Sequence, residues 1–150
     1  MTWRSRHPSP KPRRKPAITP GPTQTVRSLE SLGFKMSEEA EEWGGSKFNP
    51  NDRDITSFWE GPKESFHQAV AVLLRNGYRT AQPPPSNPRK FSDYYFTKKG
   101  AGEFSLHIAG YNIWPFKGEF TMAQFTPEGY DSDRAHKKRL EQEIAELEAP

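Results

Sequence analysis

Proline decides where this chain can fold. Six of its fifteen prolines fall between Pro8 and Pro22, and four more fall between Pro83 and Pro88. Proline fixes φ, has no N–H to donate and pushes its predecessor toward extended backbone, so neither stretch can be helix interior or inner strand. The spacing predicts a polyproline-like arm over residues 1–24 and an extended loop through "QPPPSNPRK". Between and after them lie short helices with an acidic linker (25–60) and a compact α+β domain (61–150).

A chain of 150 residues is long enough for one ordinary domain with tails. Its hydrophobic content of 32% is low, yet 13% of its residues are aromatic, which argues for a core rather than disorder throughout. Cysteine is absent, which excludes disulfides, thiolate metal sites and cysteine nucleophiles. No apolar run approaches the roughly 20 residues that a membrane helix needs. The N-terminus "MTWRSRHPSPKPRRKP" has charge without the apolar stretch of a secretory signal. The expectation is an intracellular protein, in the cytoplasm or with nucleic acid in a nucleus or nucleoid, that does not engage membrane.

Charge is distributed unevenly. Residues 1–35 hold eight Lys and Arg against one Glu, residues 36–60 hold two against seven acids, and residues 61–150 hold twelve against eleven. A basic arm, an acidic bridge and a nearly neutral body follow. What such a chain attracts depends on where the charge sits rather than on its total.

Helix signals come first in "TVRSLESLGF", with Thr25 as cap, Val26, Leu29 and Leu32 on one face, and Gly33 to end it. "SEEAEEWGG" predicts a second short helix capped by Ser37 and closed by Gly44 and Gly45. A buried helix is predicted over 63–75, where Phe66, Val70, Leu73 and Leu74 recur at helical spacing and Asn76-Gly77 terminates the run. The last helix runs from Ser132 to Glu148, with a narrow ridge of Leu140, Ile144 and Leu147. Its charges oppose its own macrodipole, since cations fill the first turns and glutamates the last. Pairs Lys137–Glu141 and Arg139–Glu143 are expected to offset this.

Strand signals are period-two. Phe104, Leu106 and Ile108 alternate with Glu103, Ser105 and His107, while Tyr94 and Phe96 oppose Tyr95 and Thr97. "GEFTMAQF" predicts a third strand with Phe120 and Met122 on the core side and Glu119, Thr121 and Ala123 outside. The expected fold is a three-stranded antiparallel sheet packed by the 63–75 helix, with a C-terminal helix and a disordered arm. Helix, three strands, helix resembles the element order of a double-stranded-RNA-binding domain. The aromatics are then consumed as core, leaving Tyr95, His107 and small polar groups on the open face, too few for base stacking.

Two functions are expected from this. In the first, a non-enzymatic accessory protein contacts phosphates regardless of sequence through Arg4, Arg6, Lys11, Arg13, Arg14 and Lys15 of the arm. Lys98 and Lys99 at the glycine-rich turn and Arg134, Lys137, Lys138 and Arg139 of the last helix would join them. Its partner would be nucleic acid or a complex that carries it. In the second, a protein-interaction module, such as an assembly factor or inhibitor of a larger machine of the viral or phage kind, uses Tyr111, Ile113, Trp114 and Phe116. No catalytic residue, metal or cofactor is expected. A His107–Glu119 acid–base pair and weak metal binding by Asp131 and Asp133 are the enzymatic alternatives.

Overall fold

The computed structural model describes residues 21–37, 47–111 and 118–149. The arm cations, the second short helix after Ser37, and Ile113, Trp114 and Phe116 all lie outside the described residues; Tyr111 is placed as backbone within a strand.

The protein is α+β, but its antiparallel sheet has five strands rather than three. These are β1 (Lys35–Met36), β2 (Ser57–Pro62), β3 (Tyr94–Lys98), β4 (Gly102–Tyr111) and β5 (Gly118–Thr126), in the order β1-β2-β5-β4-β3. Two helices, α1 (Pro22–Ser31) and α2 (Phe66–Arg75), bury Val26, Leu29, Phe66, Ala69, Val72 and Leu73 in one core with the sheet. A third, α3 (Ser132–Glu148), spans the residues its pattern predicted.

The inner face of the sheet is set by register. Trp59 on β2, Ala123 on β5, Leu106 on β4 and Tyr94 on β3 form one row across it. Two residues along each strand, Phe125, Phe104 and Phe96 join them, and the Phe104 and Phe125 rings lie 5.0 Å apart. Tyr94, Phe96, Phe104 and Leu106 thus belong to the core, as their alternation predicted. The third predicted strand exists with its faces reversed. Thr121, Ala123 and Phe125 point inward and are buried, while Phe120 and Met122 stand half-buried on the outer face. Ala123 is fully buried between Trp59 and Leu106, and a one-residue slip would exchange the two sets.

One local expectation also changes. Thr25 is not a cap, because α1 begins at Pro22 after the N-cap Gly21; the buried Thr25 hydroxyl instead donates to the Gly21 carbonyl and accepts from Asn76 Nδ2. Gly61 brings β2 close under the Phe34 ring, so that a Cβ there would lie 2.6 Å from ring carbons.

Candidate interaction surface

The site is built on a loop and a helix end distant in sequence. Residues 49–54 make two successive Asx turns, Asn51 N–H donating to Asn49 Oδ1 (3.0 Å) and Asp54 N–H to Asp52 Oδ1 (2.9 Å). They present the Asp54 carboxylate to α3. Arg134 Nε donates to Asp54 Oδ1 and Lys138 Nζ to Asp54 Oδ2, each at 2.8 Å. Four residues apart, these cations share one side of the helix. Arg134 also donates through Nη2 to the carbonyls of Gly129 (3.0 Å) and Arg53 (3.3 Å). Lys138, followed by Arg134, holds the Asp54 carboxyl down to about 2, and both cations are pushed up in return. Asp131 caps the helix, its Oδ1 accepting from the N–H groups of Asp133 and Arg134.

This anchorage fixes which way α3 faces. Ala135 is buried against the body, and Arg139 on the same side is half-buried. At 3.6 residues per turn, Leu140, Ile144 and Leu147 lie roughly 120–180° around the helix from Ala135. They are 44%, 53% and 85% exposed. The first turns of the helix therefore turn Arg134 and Lys138 to the protein, while the apolar ridge, like every described residue from Leu140 onward, is exposed, the reverse of an ordinary surface helix.

A second exposed feature lies at the far edge of the sheet. Phe91 and Tyr95 are 59% and 51% exposed, and Phe91 has a φ of 64°, the one non-glycine positive φ among the described residues. Its N–H donates to the Ile108 carbonyl at 2.7 Å, and Lys90 Nζ lies 5.2 Å from its ring centroid. The outer face of the sheet is more apolar than expected, since Phe58 and Met122 join Tyr95 and His107 there.

The predicted phosphate contacts divide. Lys98 Nζ donates to the Asn76 carbonyl at the end of α2 (2.9 Å) and lies 5.7 Å from the Tyr78 ring centroid; its burial pushes the ammonium pKa down. With Arg134 and Lys138 on Asp54, three of the six described cations hold internal partners. Lys99, Lys137 and Arg139 make no hydrogen bond or ion pair among the described residues, so the two pairs expected along α3 do not form.

The acid–base alternative is also rearranged. His107 Nδ1 lies 3.1 Å from Asp93 Oδ1, whereas Glu119 pairs with Lys63 at 2.5 Å. Asp131 serves as a helix cap, and no group of three His, Asp or Glu that could hold a metal occurs among the described residues. No helix among them is long and apolar enough to cross a membrane. What sequence reasoning missed was Asp54, whose only local signal is an Asx-rich loop. Compared with protein-family models, curated proteins and solved structures, the chain matches none.

Proposed function

We propose that this protein is a non-enzymatic interaction module whose sheet-and-helix body holds α3 out as a docking helix. The observation that supports this is the orientation of α3. Its polar side is fastened to Asp54 and its apolar ridge is presented to solvent, at a cost in exposed hydrocarbon that a partner would recover. An aliphatic ridge at helical spacing suits docking against an apolar surface of a partner protein. A photocrosslinking amino acid at Glu143, beside the ridge, tests this in the cells that make the protein. Discrete adducts that vanish on Ile144→Glu are expected, and adducts indifferent to that change would defeat the reading.

A second reading rests on the charge of residues 1–35, eight cations against one acid, with Lys99, Lys137 and Arg139 uncommitted in the body. Such a distribution favours phosphate contacts independent of sequence, which weaken steeply with salt. Titration of duplex and single-stranded nucleic acid at several salt concentrations, with and without residues 1–20, is the measurement. Absence of binding at low salt rules this reading out.

A further inference from the structure

We infer that the partner of α3 is a second copy of this chain, paired through an antiparallel seam of the two α3 helices. The inference rests on the interaction reading above and names its partner.

The sequence of α3 is self-complementary in one direction. Residues 134–139 hold Arg134, His136, Lys137, Lys138 and Arg139, of which Arg134 and Lys138 are held by Asp54 and His136 and Lys137 flank the ridge, whereas residues 141–148 hold Glu141, Glu143, Glu146 and Glu148. Two helices side by side in parallel would stack like charge on like. Reversing one of them brings Lys137 of each, on the ridge side, beside Glu148 of the other.

The same reversal resolves the charge order that each helix carries against its own macrodipole. In an antiparallel pair, the glutamates at one C-terminus lie beside the positive N-terminal end of the partner helix. It also closes: a two-fold contact uses one patch twice and leaves no open end.

The register follows from the ridge. Centred on Gln142, the pair sets Leu140 of each copy against Ile144 of the other, and lays the aliphatic stem of Lys137 over Leu147 of the second copy. These positions are on the side of α3 away from Ala135 and Asp54, so the seam forms without disturbing the anchorage. Three ridge residues per copy make a small interface, and association in the range of about 1–100 µM is expected.

Sedimentation of the full chain across that range should show the mass rising from 17.2 kDa toward twice that value, and Ile144→Glu should hold it at the monomer. Far-UV circular dichroism of Ile144→Glu at low concentration confirms that the variant folds. Since the native chain has no cysteine, engineered thiols report direction cleanly. Lys137→Cys mixed with Leu147→Cys should form a mixed disulfide, while neither variant alone should cross-link, its own thiols lying about 15 Å apart along the seam.

Self-linked dimers of either single variant would make the pair parallel and overturn the inference, as would a dimer that survives Ile144→Glu. A chain that stays monomeric overturns self-pairing. If that monomer still gives Ile144-dependent adducts in cells, the docking-helix reading stands with a different partner; without such adducts both fall.

Discussion

Asp54 is gripped by Arg134 across 80 residues of chain, Nε to Oδ1 at 2.8 Å, and its other carboxylate oxygen takes Lys138. One half-buried carboxylate thus helps fix the orientation of a helix about 25 Å long. Its folded pKa of about 2 lies below the ordinary aspartate value near 3.9, so its contribution is fully present above pH ~4 and disappears as pH falls toward 2. The carboxyl carbon of Asp54, followed by NMR, should titrate with a midpoint near 2, and a midpoint near 3.9 would show that the ion pairs do not persist in solution. Asp54→Asn should lower the melting temperature at neutral pH but not near pH 2, while a spin label on α3 becomes more mobile.

Gly61 and Phe34 give a sharper test of packing. A methyl at Gly61 would stand 2.6 Å from Phe34 ring carbons, and Phe34 is fully enclosed. Gly61→Ala should destabilise the protein by about 2 kcal/mol, the range for overpacking a closed core. In a Phe34→Ala background the same change should cost almost nothing, since the obstructing ring is gone. Denaturant unfolding of the four-protein cycle measures the coupling; additive effects would mean that β2 does not pass under Phe34.

The contrast between β4 and β2 shows how much of the fold the sequence discloses. β4 alternates large apolar with polar residues, so its inner face could be read directly. The inner residues of β2 are Ser57, Trp59 and Gly61, only one of them large, and the pattern becomes intelligible only once Phe34 covers the glycine. β5 was legible as a strand but not in its faces, because Phe120 and Met122 outweigh Thr121 and Ala123 in hydrophobicity. The pairing of Ala123 with Trp59 and Leu106 decides otherwise, and no local pattern records it. On α3, the boundaries, the ridge and the reversed charge order could all be read from local spacing. The direction of the ridge could not, because it depends on Asp54, whose partners are remote in the chain.

Lys98 and Lys99 are adjacent and chemically alike, yet they should behave differently when neutralised. Lys98 closes the end of α2 through the Asn76 carbonyl and covers the Tyr78 ring, whereas Lys99 is exposed at the hairpin tip. Lys98→Met should lower stability by about 1 kcal/mol through the lost charge-assisted hydrogen bond. Lys99→Met should leave stability unchanged within about 0.5 kcal/mol, the ordinary range for surface positions. Thermal unfolding compares them, and equal effects would remove the structural role assigned to Lys98.

Phe91 combines a left-handed backbone with a large, mostly exposed ring. A side chain at φ 64° costs about 1–2 kcal/mol, which glycine would not incur. Against that, glycine loses about 0.5–1 kcal/mol more in backbone entropy on folding. The ring gives little back, since more than half of its surface meets solvent and its near neighbour is the Lys90 ammonium. The backbone hydrogen bond from Phe91 N–H to Ile108 survives any substitution that keeps the N–H. Phe91→Gly should therefore be neutral or stabilising by up to about 1 kcal/mol in denaturant unfolding. Phe91→Val should cost more than removal of the ring alone, because a β-branched residue tolerates this backbone region least. A clear loss of stability in Phe91→Gly would show that the ring packs into the fold. Retained stability would mean that the conformation is maintained by its surroundings and leaves the aromatic available for contact with other molecules.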